Sequence, residues 1–100
     1  MKTEEPIITN PTKLYVLLLL HESDMHGYEI IVEFMKRLEK KLSPGQIYPL
    51  LKAMMEMGLV EFYEDFQGKR KRKIYTLTRE GKEFVEESIG KLKEMFKSLE

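Results

Sequence analysis

No cysteine and no tryptophan occur in the 100 residues, glycine and proline are few at six and four, and the formal charge sums to zero. The missing cysteine excludes a disulfide, a thiolate metal site and a cysteine nucleophile. A chain of this length buries only about 60–65% of the surface it exposes when unfolded. With a covalent staple excluded, a second subunit is the expected source of added stability. The longest unbroken aliphatic run, Val16 to Leu20, is far short of a bilayer span. No basic segment followed by an apolar stretch stands at the amino terminus, so a cytoplasmic protein without membrane contact is expected.

What is present is 42% apolar and 34% charged residues, the balance of one soluble globular domain. Zero net charge speaks against a nucleic-acid binder, because such domains usually carry a basic excess. The distribution reverses that inference. Lys69, Arg70, Lys71, Arg72 and Lys73 follow one another, while Glu61, Glu64 and Asp65 before them and the Glu-rich stretch from Glu80 to Glu87 cancel the sum.

Asn10 and Pro11 signal a helix start, a capping acceptor followed by proline at the first helical position. This first helix is expected to reach about Glu22. Leu14, Tyr15 and Val16 to Leu20 cover more than one stripe of it, so it calls for apolar neighbours on several sides, more than one small chain is expected to supply. Ser23 and Asp24 offer the next cap, and Ile30, Ile31, Phe34, Met35 and Leu38 recur at helical spacing toward an end near Lys41. Gly27, in the first turn of that helix, reads as a point of close contact for a ring or backbone.

Ser43, Pro44, Gly45 and Gln46 are the clearest start signal, a capping box with proline at the first position. In this third helix Ile47, Leu50, Leu51 and Met54 point one way. Gly45, Pro49, Lys52 and Glu56 point the other, flanked by Gln46 and Tyr48. Pro49 removes a helical hydrogen bond, so a bend or a tight first turn is expected. Gly58 ends the helix. Val-, Phe- and Tyr-rich residues from Leu59 to Phe66, a turn at Gln67 and Gly68, and alternation from Lys73 to Leu77 predict a β-hairpin. Thr78 caps a last helix from about Arg79 to Leu99. Its apolar residues Val85, Ile89, Leu92, Phe96 and Leu99 step by an average of 3.5, the repeat of a coiled-coil seam, over about 31 Å.

Three helices, a hairpin and a final helix are the element order of a winged helix-turn-helix, a mainly α (α+β) fold. The motifs narrow it. His26-Gly27-Tyr28-Glu29-Ile30 resembles the HGYEI segment of the PadR family of transcriptional regulators, and Gly45 to Leu51 resembles that family's G-x-(L/I)-Y-P-x-L helix start. Glu56 to Val60 resembles its E-x-G-L-V exit, and Lys73 to Thr78 with Gly81 its K-x-Y-x-L-T-x-x-G segment. The resemblance runs from Leu14 to about Phe84 and implies that Pro49 is tolerated where it stands. It also implies a transcriptional regulator that represses by occupying promoter DNA.

An α-helix fits the B-DNA major groove and presents the polar side chains of its first turns to base edges. Gln46 is expected to read adenine if its amide is not held in the cap. Tyr48 and Lys52 stand where phosphates or base edges would lie, and Ser43 with the first-turn N–H groups suits a phosphate. Tyr48 also reads as a core aromatic with an exposed hydroxyl. Lys69, Arg70, Lys71, Arg72 and Lys73 on the wing are expected to bind the DNA backbone or minor groove with strong salt dependence.

The expected organisation is a DNA-binding domain at 1–78 and a dimerisation helix at 79–100. A homodimer would join through Leu14, Leu17 and Leu18 of the first helix and Val85, Ile89, Leu92, Phe96 and Leu99 of the last, and would place two recognition helices on an inverted-repeat operator. A small-molecule effector between the first helix and the partner's last helix stays open. The alternative is a winged-helix protein-interaction module whose hairpin binds an acidic partner. Enzyme chemistry finds no motif here. His21 and His26 stand five apart with no third ligand, so neither a metal nor a cofactor is expected.

Overall fold

The computed structural model describes residues 10–100. The elements are α1 (Pro11–Glu22), β1 (Met25–His26), α2 (Gly27–Leu38), α3 (Pro44–Glu56), β2 (Val60–Gln67), β3 (Arg70–Leu77) and α4 (Arg79–Ser98). The strands form one antiparallel sheet in the order β1-β3-β2. This is the winged-helix architecture expected from the element order. The first nine residues of the 1–78 segment, and most of the stretch on which a secretory signal was judged absent, lie outside the described residues. Among the described residues no helix is long and apolar enough to cross a membrane.

Asn10 caps α1, its Oδ1 accepting the Lys13 N–H at 3.1 Å. Val16, Leu17, Leu19 and Leu20 are all buried, with α1 lying against β3 and α4. The nearly all-round apolar surface of α1 is therefore covered largely by its own chain, contrary to the expectation that another subunit must supply the cover. β3 and α4, with Phe34 of α2 against Tyr15, cover most of it, and Leu14 and Leu18 stay half-buried. Leu17 is fully buried in this core, so it is corrected from an interface residue to a core residue.

The second helix also departs from expectation. Ser23 and Asp24 do not cap it. Met25 and His26 instead pair with Tyr75 and Ile74 as a two-residue strand, and the helix starts at Gly27. His26 is the cap: its Nδ1 accepts the Glu29 N–H at 3.3 Å, while Glu29 Oε1 accepts the His26 N–H at 2.9 Å. The helix ends at Leu38 rather than near Lys41, with Glu39 in the left-handed region at φ 54°. Ile30 and Phe34 enter the core, and Phe34 meets Tyr15 edge-on at 5.3 Å between ring centroids.

β2 and β3 pair in unbroken register from Val60↔Leu77 to Gln67↔Arg70. The turn is two residues, Gly68 and Lys69, with Gly68 at φ +65° and Lys69 at negative φ, the pattern of a type II′ turn. Only the root of this hairpin, at Val60, Ile74, Tyr75 and Leu77, is buried. The rest projects as a wing.

Thr78 joins the wing to α4. Its Oγ1 accepts the Gly81 N–H at 2.9 Å and donates to the Gly58 carbonyl at 2.6 Å, and its own N–H donates to Leu59 O at 3.0 Å. Val85 is completely buried in the same core as α1 and is likewise corrected from interface to core; Phe84 and Ile89 are partly buried against that core. Beyond them α4 leaves the body. Met95, Phe96 and Leu99 are 49%, 65% and 81% exposed, and the chain measures 52 Å along its longest axis.

Candidate nucleic-acid interface

α3 presents Gly45, Gln46, Tyr48, Pro49, Lys52 and Glu56 to solvent and buries Ile47, Leu51 and Met54. The split is the one its spacing predicts. The helix runs through Pro49, and its first turn is tight, with the Ser43 carbonyl accepting the N–H groups of both Gln46 and Ile47 at 3.0 Å. Gln46 Oε1 accepts from the Ser43 N–H at 2.9 Å and from its Oγ at 3.2 Å. Both acceptor positions of that amide oxygen are thus occupied. The condition attached to the adenine reading fails, and Gln46 is corrected to a cap residue, since bidentate recognition needs the oxygen as well as the nitrogen.

Tyr48 is 44% exposed and lays its ring over Gly27. A Cβ at Gly27 would fall on the Tyr48 hydroxyl and 2.6 Å from its Cζ, which confirms the close-contact reading of this glycine. Gly27→Ala is expected to displace the Tyr48 ring and, because the obstruction is the end of a half-exposed side chain, to lower stability by no more than about 1 kcal/mol. Tyr48→Ala in the same chain should recover most of the loss, a coupling that urea melts of the two single variants and the double variant would measure.

On the wing Lys69, Arg70, Lys71 and Lys73 are exposed and Arg72 is half-buried. Lys71 pairs with Glu64 at 3.5 Å, and the Lys73 ammonium stands 4.6 Å above the Phe62 ring. Among the described residues no carboxylate lies within 4.0 Å of Lys69, Arg70 or Arg72. Between wing and helices lies an open cleft of about 540 Å³, walled by His26, Gly27 and Tyr28 at the start of α2, by Tyr48 of α3, and by Gln67, Arg70, Arg72, Lys73 and Tyr75. Burial pushes the Tyr75 phenol pKa above its ordinary value, and Tyr48 adds to the shift. The cleft floor is therefore neutral and its rim cationic. Among the described residues no group of three or more His, Asp or Glu is placed to hold a metal ion.

The profile of the PadR-like transcriptional regulator family matches residues 16–87. The chain belongs to that family.

Curated relatives agree with the assignment. The chain is 35% identical over 78 residues to the transcriptional regulator YqjI of Escherichia coli, covering 76% of this chain and 36% of that protein. It is 38% identical over 74 residues to the negative transcriptional regulator PadR of Bacillus subtilis, covering 71% and 41%. It thus spans about two-fifths of these relatives' length. A PadR-family transcription regulator of Clostridium difficile superposes with a TM-score of 0.79 at 30% identity, over 88% of this chain and 93% of that one. Bacillus subtilis PadR in complex with operator DNA superposes with a TM-score of 0.72 at 32% identity, over 80% of this chain and 46% of that one.

Within this PadR fold, the structure brings Tyr48 together with Arg70, Arg72 and Lys73 around one cleft. Lys69 sits at the wing tip, and Lys52 lies more than a turn beyond Tyr48 on the same helix. Sequence reasoning passed over Lys40 and Lys41, both exposed just ahead of the Ser43 cap, and Tyr28, 67% exposed on the cleft wall. A lysine pair directly before a helix cap was the signal available for the first two. Of the proposed interface residues, Leu14, Leu18, Ile89 and Leu92 are half-buried and Phe96 and Leu99 exposed.

Proposed function

We propose that this chain is a DNA-binding repressor that acts as a homodimer on an inverted-repeat operator. The observation that carries the reading is the placement of α3's exposed first turns beside a wing whose Lys69, Arg70 and Arg72 have no carboxylate partner among the described residues. An α3 laid in the major groove would put the wing against the neighbouring backbone or minor groove, which is how phosphate contacts fix register while a helix reads bases. That a relative, Bacillus subtilis PadR, has been solved in complex with operator DNA supports a DNA partner.

The exposed apolar end of α4, together with Leu14 and Leu18 of α1, supplies the dimer surface in this reading. Residues 1–78 then serve as the DNA-reading part and 79–100 as the dimerising part, with Phe84, Val85 and Ile89 packed into the described portion of the first. Two recognition helices would sit one duplex turn apart, about 34–36 Å. Repression follows from occupying promoter DNA, and an effector would bind between α1 and the partner's α4.

Selection from a random duplex library is expected to return a palindrome. On the selected site the double variant Lys69→Ala, Arg70→Ala should bind more weakly, with the log–log salt slope reduced by about two per subunit. An unchanged slope would remove the wing from the interface. If no duplex is retained at low ionic strength, the protein-interaction reading takes its place.

A further inference from the structure

Arg72 differs from the other wing cations in having one guanidinium nitrogen, Nε, buried without a hydrogen-bond partner among the described residues. Asp65, directly across the ladder, is turned to its own neighbour and accepts the Phe66 N–H at 2.8 Å. Three cationic side chains and no carboxylate line the cleft into which this residue is built. The first turn of α2 does not supply the answering acceptor, since His26 Nδ1 and Glu29 Oε1 accept the backbone N–H groups of their own capping box. An unpaired N–H of a charged side chain, withdrawn from water, raises the free energy of the state that contains it.

From this we infer that the cleft between α2, Tyr48 and β3 is a socket for one backbone phosphate of DNA, with Arg72 as its anchor. The inference rests on the DNA-binding function proposed above. In the unbound protein the Arg72 guanidinium lies against the cleft wall with Nε unsatisfied. When a phosphodiester enters, the side chain rotates toward it and Nε gains an acceptor. Tyr48, held in place by Gly27, bounds the socket on the α3 side. Lys69 at the exposed tip gives up hydration to meet a phosphate. Arg72 gives up a position in which Nε lacks an acceptor, so it favours the complex by more than its charge alone.

The consequence is a trade of stability against affinity that no purely electrostatic contact would show. Arg72→Met keeps the packing of the side-chain stem and removes the unpaired group. It is expected to raise the melting temperature by roughly 4–8 °C, to weaken operator binding at least about tenfold, and to reduce the salt slope by about one per subunit. Lys69→Met, the control, should lower the slope equally and leave the melting temperature unchanged. Inorganic phosphate, added alone at tens of millimolar, should raise the melting temperature of the wild type and not of Arg72→Met.

Operator duplexes carrying a neutral methylphosphonate at one position at a time then test the source of the phosphate. At a single position in each half-site the affinity difference between wild type and Arg72→Met should vanish. The socket is overturned if Arg72→Met melts at or below the wild type, if phosphate stabilises both proteins equally, or if no methylphosphonate position removes the difference. A wild type that binds no duplex would defeat the functional reading, while the melting and phosphate arms would still decide the socket.

Discussion

Replacing Gly81 by alanine is expected to lower stability by about 3–4 kcal/mol, enough to leave a domain of this size largely unfolded at moderate urea. Gly81 lies in the first turn of α4, where a Cβ would fall on the Leu59 carbonyl oxygen and 3.0 Å from its carbon. The obstruction is backbone, so no rotamer relieves it. That same carbonyl accepts the Thr78 N–H, and Thr78 Oγ1 accepts the Gly81 N–H, so moving α4 away also breaks the cap, worth about 1 kcal/mol. Gly90→Ala is the internal control. Nothing lies within 4 Å of a Cβ there, and the change should stabilise by about 0.5–1 kcal/mol through helix propensity. Urea melts followed by far-ultraviolet circular dichroism would compare the two, and a Gly81→Ala midpoint equal to wild type would refute the close approach of α4 to Leu59.

The second large effect concerns the proposed association. In the homodimer proposed above, Leu92→Glu with Phe96→Glu should give a monomer in sedimentation, while the melting curve of the single chain changes little because Phe96 is 65% exposed and Leu92 only half-buried. A large apolar side chain contributes about 1.5–3 kcal/mol when it is buried. A two-fold interface counts each substitution twice. Operator affinity should fall at least about a hundredfold, since two half-sites that bind independently lose the effective concentration that linkage provides. A variant that still sediments as a dimer would place the interface elsewhere.

How much of this was legible in the sequence differs by element. The starts of α1, α3 and α4 were readable because Asn10, Ser43 and Thr78 act locally, through groups three residues away. The start of α2 was not. Met25 and His26 are a strand only because Tyr75 and Ile74, far along the chain, lie beside them, and histidine is an uncommon cap. Leu17 and Val85 were assigned to an interface for a related reason. Periodicity shows that a face is apolar, and whether its own fold or a second subunit covers it is decided by tertiary packing.

The site shows the same division. The exposed face of α3 and the cationic run on β3 follow from spacing and composition. That Gln46 spends its amide oxygen on Ser43, that Tyr48 lies on Gly27, and that Arg72 lacks a partner depend on distances no one-dimensional pattern contains.

The hairpin pairs a strand carrying Glu61, Glu64 and Asp65 with a turn and strand carrying Lys69 to Lys73, inside a chain whose formal charge is zero. A body with no monopole is not drawn toward a polyanion from afar. Separated signs give it a dipole moment, and within roughly one screening length, about 8–10 Å, the field of the duplex exerts a torque that turns the cationic strand forward. In the DNA-binding reading proposed above, this separation of charge would favour encounters in which the cationic strand faces the duplex.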